Sequence, residues 1–288
     1  MTYKISHENY TIEVDEHGAE LVSLMRYRKN YLWEKKDPYW QRRAPVLFPV
    51  VGKLKDNKYF LNGKEYSLPQ HGFARDMPFQ LHYQNASEIE LTLNESFVPG
   101  YPFHFELAIN YALDETGVLI TYTVTNKGSD PMPFSIGAHP AFQCPVADTE
   151  TLEDYEIVFP DDETLTRHTL KEGLRTGETE TVSLHNHVLK LSEDLFADDA
   201  LVLNAFTSKK VILRSKEVTI EVHSDDCTWL GLWKQPKAPF VCIEPWWGVA
   251  DAMNSNGDML QKEGIMLLPA RETRQFRYRI SISGAGDF

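Results

Sequence analysis

An all-β chain, built as a large antiparallel β-sandwich, is what the sequence predicts. Three observations carry this. Apolar residues recur at every second position over long stretches, turn-forming dipeptides separate those stretches, and segments with helical periodicity are scarce.

Taken in chain order, the first clear element is a hairpin in "KYFLNGKEYSL", where Asn62-Gly63 supplies the two residues that a tight turn with positive φ demands. "FHFELAINYAL" then sets Phe103, Phe105, Leu107, Ile109, Tyr111 and Leu113 on one side of a strand, the other side being mostly smaller or polar. "VLITYTVTN" repeats the alternation through Val118, Ile120, Tyr122 and Val124. Near the end, "FRYRISIS" opposes Phe276, Tyr278, Ile280 and Ile282 to Arg277, Arg279 and Ser281. "DETG", "NKGSDP" and "SNGD" mark turns between such runs. Half-buried sheets must cover one another's apolar faces, hence the sandwich. No low-complexity linker, charge block or short-period repeat divides residues 1–288, so one domain is expected.

Composition narrows the function. With 42% hydrophobic and 12% aromatic residues the 288-residue chain can fill a large core. Its 42 acidic against 29 basic residues, a net charge of -13, oppose attraction to nucleic acid or to an anionic membrane. The N-terminal "MTYKISHENYTIEV" has no apolar signal region, and no run approaches the roughly 18 apolar residues of a membrane span. A cytoplasmic location is the expectation. Cys144, Cys227 and Cys242 are odd in number and far apart, which argues for core thiols over disulfides or a Cys-x-x-Cys metal site.

Three segments break the strand pattern with polar groups beside aromatic ones: "HGFARD" with His71 and Arg75, "IGAHPAF" with His139, and "CIEPWWG" with Glu244. A histidine beside glycine or proline also serves simply as a turn residue with a local hydrogen bond. Glu244 is harder to explain that way, because a carboxylate between "FVCI" and "PWW" is costly to bury without a partner or a role.

The order "GKL", "NGKEY", "HGFARD", "GAHPAF" and "IEPWWGVAD" resembles the aldose 1-epimerase (galactose mutarotase-like) family, in particular its LacX-type branch, over nearly the whole chain. The resemblance implies a β-supersandwich, a cofactor-free cleft and interconversion of the α and β anomers of a sugar at C1. It assigns the base to Glu244 and the acid to His139, and it makes His71 a sugar-binding histidine. Such a pair suffices chemically: one group takes the C1 hydroxyl proton while the other protonates the ring oxygen.

Further substrate contacts are expected at Arg75, whose fork of donors suits hydroxyls, a phosphate or a carboxylate but also an ion pair with Asp76. Lys53 stands where better-known mutarotases carry a sugar-binding arginine. The family's substrate aspartate falls on Asp198 or Asp199, with Asp199 favoured. Gly137-Ala138 replace the polar residues that precede the histidine in galactose mutarotases, so the sugar, and whether it is phosphorylated, stay open. A noncatalytic carbohydrate-binding or sugar-sensing protein of the same fold is the alternative.

No metal site is expected. His185 and His187, on one side of a predicted strand, lack a third ligand nearby. Trp229 and Trp233 are placed in the core or on the cleft wall, and "DDET", Asp161 to Thr164, on the solvated surface.

Overall fold

A computed structural model describes residues 1–284. Two large antiparallel sheets dominate it, and the helical segments among the described residues are 3₁₀ turns of three residues. The nine-stranded sheet runs Val188–Lys190, Glu156–Val158, Lys210–Arg214, Val218–His223, Thr273–Gly284, Gly117–Asn126, Phe105–Asp114, Glu88–Glu95 and Gln80–Gln84. The other orders Leu174–Ser183, Thr164–Lys171, Leu201–Asn204, Trp229–Trp233, Phe240–Trp247, Ile136–Ala138 and Val46–Leu47, and Ala141–Gln143 joins it beside Phe240–Trp247. A four-stranded sheet built from Thr2–His7 to Lys29–Asn30 flanks them.

The alternating segments pair as expected. Phe105–Asp114 lies against Gly117–Asn126, which lies against Thr273–Gly284. The first strand starts two residues after Phe103 because its partner ends at Asn126, opposite Phe105. Asn62 and Gly63, at φ 51° and 77°, make the hairpin turn between Lys58–Leu61 and Lys64–Ser67.

One apolar core joins residues from Ile5 to Ile282 and fills the space between the large sheets. Trp247 and Phe276, from opposite sheets, touch there with ring centroids 5.3 Å apart. The flanking sheet is tied in by Tyr10, whose hydroxyl donates to the Ile282 carbonyl, and by Tyr111, which donates to the Ala19 carbonyl.

Two local expectations need correction. His185 and His187 do not share a strand face: Asn186 and His187 have φ of 51° and 67° and form a two-residue turn closed by pairing of His185 with Val188. His187 Nδ1 lies 2.7 Å from the Asp162 carbonyl oxygen. Asp162 is not a solvated loop residue, because its buried carboxylate accepts from the amides of Thr207 (2.7 Å) and Ser208 (2.9 Å). No α-helix of the described residues is long and apolar enough to cross a membrane.

Candidate active site

The strand Phe240–Trp247 is buried along its full length, and its two faces meet different surroundings. Successive side chains of a strand point to opposite sides. Val241, Ile243 and Trp247 enter the core between the sheets, while Glu244 and Trp246 face a cavity of about 410 Å³ on the far side. That volume lies within the roughly 300–1,000 Å³ typical of small-molecule sites.

Glu244 is opposite Gly231, and Trp246 is opposite Gly137. The glycines matter sterically. A Cβ on Gly231 would come within 2.5 Å of the Trp246 ring, and one on Gly137 within 2.7 Å. The indole therefore lies over two bare stretches of sheet, with Nε1 donating to the Ala138 carbonyl (3.2 Å).

His139 follows the short strand Ile136–Ala138, and its Nε2 is 3.2 Å from Glu244 Oε2. Both are buried, at 7% and 1% exposure. Neither His139 Nδ1 nor Glu244 Oε2 has a hydrogen-bond partner among the described residues. Ring packing orients the imidazole instead: Trp40 lies tilted over it at 4.7 Å, with Trp233 and His71 edge-on at 5.7 and 5.6 Å. Burial raises the Glu244 pKa well above the carboxylate range, helped by the negative charge of Asp199 and opposed by the Trp246 indole. Burial, aided by Arg75 and Arg42, pulls His139 down to about 3. Both shifts favour neutral groups, so the pair holds one proton between carboxyl and imidazole. The ionised arrangement, carboxylate beside imidazolium, contains the same proton.

His71 enters from a loop locked to Gly52. Its backbone N–H donates to the Gly52 carbonyl (2.8 Å), and the Gly52 N–H donates back to Nδ1 (3.1 Å). This reciprocal pair holds His71 at φ 65°, a left-handed conformation that few side chains adopt. Burial, followed by the effects of His139 and Arg75, keeps its pKa well below the ordinary range. Arg75 lines the same cavity and donates to the Gln70 carbonyl (2.6 Å). Its pKa falls to about 10 through burial and the neighbouring Arg42.

Of the two candidate aspartates, Asp199 lines the cavity and Asp198 does not. Lys53 is not among the lining residues: its ammonium donates to the Glu172 carbonyl (3.1 Å), and its stem adjoins Gly173 at the rim. Trp233 lines the cavity, whereas Trp229 is packed away against Arg175 and His168.

Trp40, Arg42 and Gln70 also line the cavity and were not singled out from the sequence. Trp40 and Arg42 belong to a loop anchored by the buried Glu20, whose carboxylate accepts the amides of Arg43 and Ala44. Trp33 Nε1 donates to the Trp40 carbonyl (2.8 Å). The available signal was "PYWQRRAP", an aromatic-arginine cluster between prolines with no strand alternation.

A family model described as Aldose 1-epimerase matches residues 1–281. Protein LacX (plasmid) of Lactococcus lactis subsp. lactis is 30% identical, over 98% of this chain and 99% of its own length. Among solved structures, a galactose mutarotase related enzyme from Lactobacillus acidophilus superposes with a TM-score of 0.95 at 33% identity, covering 100% of this chain and 99% of that one. A galactose mutarotase-like protein from Lactobacillus casei gives 0.91 at 30% identity, covering 98% and 100%.

Proposed function

Because the chain belongs to the aldose 1-epimerase family, we propose that it interconverts the α and β anomers of an aldose, with Glu244 and His139 moving the protons. The observation that carries this reading is the 3.2 Å approach of His139 Nε2 to Glu244 Oε2 in the floor of a cavity sized for a small molecule.

In the forward half, the Glu244 carboxylate takes the proton from the C1 hydroxyl as imidazolium His139 gives one to the ring oxygen. The C1–O5 bond breaks and leaves an open-chain aldehyde. Rotation about C1–C2 presents the other carbonyl face, and the reverse transfers close the ring. The protein regains its single proton on the pair, so no external acid or base is consumed. Each positioned group accounts for roughly 10² to 10⁴ in rate.

His71 is assigned to the ring-oxygen side of the sugar, while Arg75 and Asp199 contact the substituents; Lys53, outside the cavity lining and bonded to the Glu172 carbonyl, is given no contact. Arg42 and Arg75 both line the cavity, with Asp76 2.7 and 3.8 Å from them and Glu20 also acting on Arg75, and their guanidinium forks suit a phosphate as well as hydroxyls. A sugar phosphate is therefore included in the substrate class.

The test is NMR saturation transfer between α and β anomeric signals for a panel of aldoses and their 6-phosphates. Protein-dependent exchange for at least one sugar is expected, more sensitive to ionic strength for a phosphate ester than for a neutral sugar. Absence of exchange, with binding retained, would turn the reading to sugar recognition without chemistry.

A further inference from the structure

The strand that presents Glu244 also brings a thiol beside the pair. Cys242 lies two residues earlier, is fully buried and is free of any disulfide. One ligating atom each from His139, Cys242 and Glu244 falls within 4.8 Å of the others.

A borderline-soft cation such as Zn²⁺ takes nitrogen and oxygen ligands at about 2.0–2.2 Å and sulfur at about 2.3 Å, in a tetrahedron. Such bond lengths separate neighbouring nitrogen and oxygen ligands by about 3.4 Å. His139 Nε2 and Glu244 Oε2 are already 3.2 Å apart. An independent observation points the same way: Glu244 Oε2, on a side chain 1% exposed, has no hydrogen-bond partner among the described residues. A buried acceptor left open is what a ligand would satisfy.

We propose that His139, Cys242 and Glu244 bind one Zn²⁺, with a cavity water as fourth ligand, and that the ion silences the acid–base pair. Binding turns the thiol into a thiolate and removes the proton held by the pair, so two protons leave as the ion arrives. Thiolate, carboxylate and neutral imidazole then balance the charge of the cation, as a buried site requires. Mg²⁺ and Ca²⁺, which prefer oxygen ligands, are poor matches. Metal binding is independent of the reaction; its inhibitory consequence rests on the acid–base reading above.

The experiment titrates metal-free protein with Co²⁺ as a visible surrogate, then with Zn²⁺. One equivalent of Co²⁺ should produce tetrahedral d–d bands and a thiolate-to-cobalt charge-transfer band, both erased by Zn²⁺. Cys242→Ser, outside the groups that touch sugar, should retain anomer exchange, lose the charge-transfer band and bind Zn²⁺ at least about tenfold more weakly. Cys242→Ala repeats the comparison if serine perturbs the buried position. In the wild type, one equivalent of Zn²⁺ should stop exchange and a chelator restore it. Absence of the charge-transfer band, or equal Zn²⁺ affinity in wild type and both variants, overturns the site. Exchange undiminished by bound Zn²⁺ overturns the inhibition. If metal-free protein shows no exchange at all, the enzymatic reading fails while the cobalt spectrum still decides the site.

Discussion

At the residue scale, Glu244 and His139 act as one unit. Glu244→Gln keeps the shape of the side chain and removes the basic oxygen, so kcat should fall by about 10²-fold or more while sugar binding persists. His139→Asn should lower kcat comparably, and the double variant should be much less impaired than the product of the two losses. A folded Glu244→Gln protein with unaltered exchange would falsify the mechanism. The pH profile follows from the shared proton. Adding a second proton charges His139, which burial beside Arg75 and Arg42 resists. Removing the only one bares a carboxylate, which burial resists. Turnover should therefore be level around neutrality, with its acid limb below the ordinary histidine value of about 6.5 and its alkaline limb above the ordinary glutamate value of about 4.3. An acid limb centred at 6.5 in a kcat–pH profile would mean that His139 titrates like a solvated histidine. Of these residues, Glu244 was legible in sequence because a lone carboxylate in an apolar run needs a reason. Its 3.2 Å approach to His139 was not, since the two stand 105 positions apart in the chain.

At the scale of elements, the strands were legible and the loops were not. Period-two alternation is a property of each segment alone, so the three long strands could be read directly, whereas the loop carrying Trp40 and Arg42 is shaped by distant Glu20 and Trp33. Sequence also could not show why Gly231 and Gly137 are glycines. Their reason is the indole laid across them. Gly231→Ala would drive a methyl group into the Trp246 ring, at an overpacking cost of about 1–3 kcal/mol. The melting temperature should drop by several degrees, and turnover should suffer because Trp246 adjoins Glu244 on the cavity wall. Calorimetry and NMR exchange on the same sample check both. An unchanged melting temperature would show that the ring relocates freely.

For the whole molecule, the site groups couple folding to pH with opposing signs. His71 and His139 are depressed in the folded state, so their stabilisation is complete above about pH 6.5 and is lost as pH falls. Glu244 is raised, so its contribution is complete below about pH 4.3 and is lost as pH climbs toward its folded value. The glutamate's share can be isolated by difference. Between pH 5 and 8, wild type should lose stability relative to Glu244→Gln as pH rises, measured by urea denaturation. A constant difference would mean that Glu244 is already ionised in the folded protein throughout that range. The sandwich was legible from alternation, because half-buried sheets must cover one another; that the second, outward face of a central strand is also buried was not.

That doubly buried strand has a consequence for how the protein tolerates change. Where one face of Phe240–Trp247 supports the fold and the other supplies the cleft, a saturation library across it should separate into two beats. Variants at 241, 243 and 247 should be lost from the soluble fraction, whereas those at 244 should accumulate as well-folded protein that no longer exchanges anomers. Natural drift through this segment is then hemmed in by two unrelated filters on alternate residues, and Trp246, packed in a buried cluster and lining the cavity, answers to both.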